Sequence, residues 1–281
     1  MAFGHPLFYS DSFFWGDLIQ ALLTPLFSPF FSPFLGAGVG SFLNVCLYRW
    51  KNGGQVVTPS SYCPKCKKTI LPFDNIPVLS FLWLGGKCRF CHKPISIQYP
   101  LIEAVTALLF WISSVLFFKN SVFLVLTSYF FVSFLVLLSV SDLKWRLLPH
   151  VFNNLFILCG LGFSVKMIFN SPGNPFVSAS SFLLLGSIMF ILLQFFSNGL
   201  GGGDVKMVAG LGMWLGVFKA TCVLTLASFG ALLVMLGLYF LGRVDWRWKI
   251  PFGPFLAAGA LGIWFMPSLI EQFRTMITRI G

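Results

Sequence analysis

Gly199-Leu200-Gly201-Gly202-Gly203-Asp204-Val205-Lys206 is a glycine run that ends in a carboxylate, set between two strongly hydrophobic segments. Placing an ionised aspartate in or beside hydrocarbon costs roughly 2.5–3.5 kcal/mol on insertion scales, so acids in such places usually face a polar cavity and carry function. The glycines fit that reading. Without side chains they can take positive φ and let another backbone come close, as a peptide substrate would. The plainer alternative is an interhelical loop in which Asp204 caps a helix continuing through Val205-Lys206-Met207-Val208-Ala209. A second acid, Asp142, tips the balance toward function, for reasons given below.

Composition sets the class. Of 281 residues, 57% are hydrophobic and only 10% are charged, and 35 are Phe, far too apolar for a soluble domain of this length. The expected fold is an all-α polytopic membrane protein with a small cytoplasmic zinc-binding loop domain. Eight windows, at 26–48, 99–118, 121–141, 149–169, 178–197, 204–217, 219–241 and 252–270, are apolar enough to cross a hydrocarbon core about 30 Å thick as helices. The sixth is short, about 21 Å at ~1.5 Å per residue. It is expected to tilt, to enter incompletely, or to start from an unwound glycine turn lining a cavity.

Residues 1–25 hold Asp11 and Asp17 but no Lys or Arg, so they lack the basic region of a cleavable signal peptide. The first basic residue, Arg49, follows the first span. With the N-terminus outside, segments 49–98, 142–148, 198–206 and 242–251 fall on the cytoplasmic side and carry 14 of the 19 Lys and Arg, as the positive-inside rule requires. The formal charge of +11 then reflects topology and contact with anionic lipid, not nucleic-acid binding. The chain divides into an external N-terminus with the first span (1–48), a cytoplasmic four-cysteine loop (49–98), and a membrane portion (99–281). Within the first span, Gly36-Ala37-Gly38-Val39-Gly40-Ser41 predicts a tight helix–helix interface of the small-xxx-small kind.

Inside the loop, Cys63-x-x-Cys66 is followed by Cys88-x-x-Cys91. Two such pairs bring four thiolates into the tetrahedron that zinc prefers, and a cytoplasmic address argues against disulfides. With all four positions filled by protein there is no open position for a reacting water, so the zinc is read as structural. His92, beside Cys91, is a weaker alternative ligand. Cys46, Cys159 and Cys222 lie in apolar spans, where a thiol behaves as a small hydrophobe.

On this topology Asp142 lies at the cytoplasmic end of the third span and Asp204 at the cytoplasmic start of the sixth, so the two acids share a depth. Two carboxylates held close tend to share one proton. The ionised one can take a proton from water as it attacks a peptide carbonyl, while the protonated one donates to the developing oxyanion. Glu103 opens the second span, where the helix dipole favours an acid; capping and a place in the substrate site are both open to it. Gly201 and Gly203 are the other substrate-site candidates. A proton- or cation-coupled transporter using Asp142 and Asp204 is the rival class, but a relay places its acids at successive depths, not at one.

These residues resemble the prepilin peptidases of bacterial type IV pilus and type II secretion systems, over most of the chain. Gly201-Gly202-Gly203-Asp204 is similar to the GxGD motif of intramembrane aspartyl proteases, and Asp142 with Leu148-Pro149 is similar to the family's first aspartate and its following Ile-Pro. Further matching stretches are Gly40-Ser41-Phe42-Leu43-Asn44-Val45, Asp74-Asn75-Ile76-Pro77, Tyr99-Pro100-Leu101-Ile102-Glu103 and Pro251-Phe252-Gly253-Pro254-Phe255. The resemblance implies an endopeptidase that removes a short basic leader from type IV prepilins and pseudopilins at the cytoplasmic face of the bacterial inner membrane. It also implies N-methylation of the new N-terminus with S-adenosylmethionine. The chain departs from the family at His150, where Asp or Asn usually follows the proline, and no dinucleotide-type GxGxxG marks a methyl-donor site.

Overall fold

Helix forms where the sequence stays apolar over several turns, and several of the helices stop at or just before glycine. The computed structural model of the chain describes residues 25, 27–53, 61–119, 121–169, 201–245 and 250–266. Among them the helices are α1 (Ser32–Asn52), α2 (Leu79–Trp83), α3 (Gln98–Phe117), α4 (Val122–Trp145), α5 (His150–Phe169), α6 (Gly202–Leu215), α7 (Val217–Phe240) and α8 (Gly253–Phe265), with one 3-10 turn at Pro72–Asn75. Extended pairing among the described residues is limited to two isolated bridges, Tyr62 with Thr69 and Lys87 with Pro94. Helices thus occupy seven of the eight expected spans, while 178–197 lies outside the described residues, as does most of 1–25. Of the described helices α3, α4 and α7 are long and apolar enough to cross a membrane by length and composition, and α8 is a shorter apolar helix.

The chain folds as two units, residues 1–129 and 130–281, with the boundary inside α4. In the first unit α1 packs on α3. Between helices surrounded by lipid, which is as apolar as leucine, association depends on close backbone approach and interhelical hydrogen bonds. Both are present. A Cβ placed on Gly36 would sit 2.8 Å from the Ala107 Cα and the Thr106 carbonyl oxygen, and one on Gly40 would sit 2.8 Å from the Glu103 Cα. The small-residue stripe is therefore the interface the sequence predicts. Next to it the Asn44 side-chain amide donates to the Tyr99 carbonyl, 3.2 Å, tying α1, two turns before its end, to the start of α3. α1 stops at Gly53, whose φ of 70° is the left-handed conformation that glycine adopts at helix ends and whose N–H caps the Arg49 carbonyl.

In the second unit the core joins Phe131, Leu135 and Leu138 of α4 to Phe156 of α5, Met207, Leu211 and Trp214 of α6, Val223 of α7 and Leu256 and Ala260 of α8. The short α6 sits deep in this packing. The Phe156 ring covers Gly210, the Trp214 ring covers Gly160, and the Trp214 indole N–H donates to the Phe156 carbonyl, 2.9 Å. Any side chain at Gly210 would lie 2.5 Å from the Phe156 ring, so α5 and α6 meet only because that position is empty.

Candidate active site and metal centre

Asp142 and Asp204 both belong to the second unit. Asp142 sits in the last turn of α4 and is buried. The helix ends just beyond it, where Arg146 takes a φ of 53° and donates its N–H to the Asp142 carbonyl, 2.7 Å. The Ser141 hydroxyl donates to the Leu147 carbonyl, 2.7 Å, closing the turn that leads into Pro149 and α5. One carboxylate oxygen of Asp142, Oδ2, accepts the N–H of Gly253 at 2.7 Å.

Asp204 lies in the first turn of α6, third in the helix, and near enough to Asp142 for their charges to interact. It does not cap that helix: Gly201 holds the capping position and no side chain bonds there. The glycines before it work by making room, not by taking positive φ. Gly201 has a φ of −62°, and Gly202 and Gly203 are helical. A Cβ on Gly203 would lie 2.7 Å from the Leu148 Cβ, and one on Gly201 would lie 3.2 Å from Asp204 Oδ2. The group that approaches Gly203 is thus the side chain of Leu148. Asn153, buried on α5, donates to the Gly203 carbonyl at 3.1 Å and so fixes the turn from which Asp204 projects. His150, at the departure from the family pattern, has its Nδ1 3.2 Å from Lys206 Nζ.

Cys63, Cys66, Cys88 and Cys91 bring their sulfur atoms within 4.8 Å of one another, and Cys63 Sγ lies 3.9 Å from Cys91 Sγ. A zinc ion with four Zn–S bonds of about 2.3 Å needs sulfurs about 3.8 Å apart, so the cluster fits a tetrahedral ion. The two pairs are built alike. Cys63 N–H donates to the Lys68 carbonyl and Lys67 N–H to the Cys63 carbonyl; Cys88 N–H donates to Lys93 and His92 N–H to Cys88 in the same pattern. Lys67 and His92 both take positive φ, 61° and 53°. His92 therefore occupies the turn position of a knuckle, the counterpart of Lys67, and the sulfur cluster forms without it.

Backbone N–H groups of Cys91 and Phe90 pull the Cys88 thiol down to about 7. At Cys91 the Lys93 N–H acts the same way, but desolvation and the thiols of Cys88, Cys66 and Cys63 outweigh it and push that group up to about 11. Four crowded thiols cannot all ionise by themselves, and a cation at their centre is what allows it. Beside the cluster, Arg89 makes a two-pronged bond to Asp74, 2.6 and 2.7 Å, and holds the Asp74 carboxyl below its usual range.

Glu103 belongs to the first unit and lies beyond the first turn of α3, so it does not serve as a dipole cap. It is buried, and its Oε2 accepts the N–H of Val78 at 2.7 Å. Val78 takes a φ of 62° and a ψ of −51°, with the Leu79 N–H reaching the Pro77 carbonyl at 2.6 Å. That is a γ-turn of the rare hand, costly for a β-branched residue, and the buried carboxylate compensates for it. The residues that sequence patterns did not assign are Gly253, Asn153 and Leu148. Gly253 and Leu148 lie in stretches singled out by resemblance, without a role attached; Asn153 carries no signal.

Helices apolar enough to cross a membrane, a buried acid within range of a second acid's charge, and a four-sulfur cluster mark an integral membrane protein. Comparison with known proteins gives the family. The model of the bacterial peptidase A24 N-terminal domain matches residues 34–117, and that of the type IV leader peptidase family matches residues 129–236. A prepilin leader peptidase/N-methyltransferase of Pectobacterium carotovorum subsp. carotovorum is 33% identical over 264 residues, covering 86% of this chain and 94% of the relative. Proteins of the same description from Aeromonas hydrophila, 35% identical over 78% of this chain and 76% of theirs, and Bacillus subtilis (strain 168), 33% identical over 78% and 86%, also match. No solved structure matches. The chain belongs to the type IV leader peptidase family, as its motifs predict.

Proposed function

We infer that this protein is a prepilin leader peptidase that also N-methylates its product, with Asp142 and Asp204 as the hydrolytic pair. The observation that supports the pair is the meeting, within one unit, of two acids from distant parts of the sequence, one buried outright and the other with a buried carboxyl oxygen. One carboxylate takes a proton from water as the water oxygen adds to the peptide carbonyl. The other acid donates to the carbonyl oxygen, and the proton gained passes to the leaving amine as the C–N bond breaks. Membership of a peptidase family removes the motive for the transporter reading.

The substrates are type IV prepilins and pseudopilins, cut after their basic leader. The protein sits in the bacterial inner membrane with its N-terminus outside and the acid pair toward the cytoplasm. The cysteine-bearing segment is a structural module held by zinc on Cys63, Cys66, Cys88 and Cys91, and Gly201 and Gly203 shape the ground beside Asp204. S-adenosylmethionine supplies the methyl group; among the described residues no group is assigned to holding it. The test is mass spectrometry of a prepilin co-expressed with this protein, which reads leader loss and methyl gain together. A precursor that keeps its leader beside well-expressed protein overturns the reading.

A further inference from the structure

We propose that Gly253 is a positioning residue for Asp142: the opening peptide N–H of α8 holds one carboxylate oxygen and leaves the other to meet the reacting water. The proposal rests on the reading of Asp142 as one of the hydrolytic pair.

The first turn of any α-helix has N–H groups without partners inside the helix, and where they go can be followed one by one. In α8 the Phe255 and Leu256 N–H groups both turn back to the Phe252 carbonyl, at 3.1 Å. Pro254 has no N–H to give. That leaves Gly253, and its N–H goes to Asp142 Oδ2 at 2.7 Å, in a buried place. The approach requires glycine. A Cβ there would fall 2.9 Å from that same oxygen, 3.1 Å from the Asp142 Cβ and 3.3 Å from its Cγ. The donor is also rigid, because Leu256, Ala257, Ala260 and Ile263 bury α8 in the core and Gly259 lies against Val223 of α7. A helix N-terminus favours a negative charge, and here it is aimed at one.

Asp204 is held differently. Its Oδ1 is buried and has no hydrogen-bond partner among the described residues, and only the turn before it is fixed, through Asn153 and the Gly203 carbonyl. Among the described residues the charge that acts on Asp142 is that of Arg146, just after α4, while Lys206 and His150 of α6 and α5 bond to each other. α8 brings none, so its contribution to Asp142 is this single dipolar contact. The pair thus consists of one anchored acid and one left free to exchange protons and to turn toward substrate.

The decisive experiment changes one atom. Glycolic acid is installed at position 253 by suppression in cell-free translation into nanodiscs, which replaces the Gly253 N–H with an ester oxygen. Gly253→Ala and, as a control on the same helix, Gly259→Ala accompany it. Cleavage of a synthetic prepilin peptide is followed as kcat and KM, with thermal stability measured on each variant. The ester is expected to lower kcat about tenfold or more at unchanged KM, as loss of a charge-assisted hydrogen bond in the reacting geometry implies, with a small loss of stability because the Phe252 ester carbonyl is a weaker acceptor for the Phe255 and Leu256 N–H groups. Gly259→Ala is expected to keep kcat. An ester variant with wild-type kcat overturns the positioning role, and it does so even if Gly253→Ala fails to fold. Asp142→Asn separates the two levels: if that variant still cleaves, the hydrolytic pair itself is wrong, whereas a dead Asp142→Asn beside a fully active ester refutes only the role of Gly253.

Discussion

Cys63 and Cys66 meet because a short turn of backbone brings them together, and Cys88 and Cys91 repeat the device with the same hydrogen bonds and the same positive-φ residue. Asp142 and its partner Gly253 are 111 residues apart, and Asn153 reaches the Gly203 carbonyl across 50. The metal site is therefore written in two local turns that an ion can draw together, whereas the acid site exists only when α4, α5, α6 and α8 have packed. Local sites resist substitutions in the surrounding helices and fail with their ion; assembled sites need no ion and fail with their packing.

The sharpest way to break this contrast is at the acids. Asp142→Asn and Asp204→Asn are each expected to lower leader cleavage by about a hundredfold to ten-thousandfold, the range assigned to general acid–base groups. The measurement is peptide cleavage by purified protein in lipid, with melting temperature as the check on folding. Either variant retaining a large share of wild-type rate dissolves the pair.

The second way removes the ion. In a Cys63→Ser/Cys66→Ser variant, zinc bound per chain is expected to fall from about one to near zero, since two thiolates cannot complete the tetrahedron. Methylation is expected to drop much further than cleavage, because the acids share no ligand with the cluster. Zinc retained at one per chain, or cleavage lost while methylation persists, reverses this division.

A smaller effect is expected at Glu103. Replacement by Ala leaves the Val78 N–H without its acceptor and is expected to cost about 1–3 kcal/mol. Glu103→Gln keeps an oxygen in place and is expected to be milder. Denaturant unfolding together with cleavage rates decides it. Complete loss of cleavage in a well-folded Gln variant moves Glu103 from support of a loop into the chemistry.

The smallest effect belongs to Asp74 and Arg89. Arg89 holds the folded-state value of Asp74 below its ordinary one, so the pair's contribution is fully present above about pH 4 and is lost as pH falls through the lower, folded value. With Arg89 about half exposed and the Asp74 side chain largely covered, the contribution is modest and weakened by salt. An Asp74→Asn variant is expected to lose this acid dependence; an unchanged acid unfolding profile in that variant rules the pair out as a contributor.

What could be read from the sequence follows the same divide. Runs of apolar residues long enough for helices, the Gly36 and Gly40 stripe and the paired cysteines are all local patterns, and the described residues have them where they were expected, the window 178–197 lying outside those residues. The roles of Gly203, Asp204 and Glu103 depend on partners brought by other segments. Gly203 was open to a positive-φ reading because nothing near it in sequence reveals that Leu148 would lie against it. Asp204 and Glu103 looked like caps because acids near helix starts generally are; the helices begin at Gly202 and Gln98, and the acids fall inside them. Pro251-Phe252-Gly253-Pro254 stood out by resemblance alone, since its partner is 111 residues upstream.

The bond from Asn44 to the Tyr99 carbonyl, beside the glycine contacts of α1 with α3, clasps the two helices at the foot of the cysteine-bearing stretch, which leaves α1 about two turns further on, after Asn52, and returns at Gln98. A segment with neighbouring ends is an insertion, topologically a bead tied onto a finished frame. Its removal need not pull the frame apart, and closing a gap that is already spanned costs little chain entropy. Exchange of the knuckled bead for a short turn would leave the glycine contacts of α1 with α3 in place but would strip the buried Glu103 of the Val78 N–H, so gain or loss of the bead is one splice whose replacement has to cover a single carboxylate.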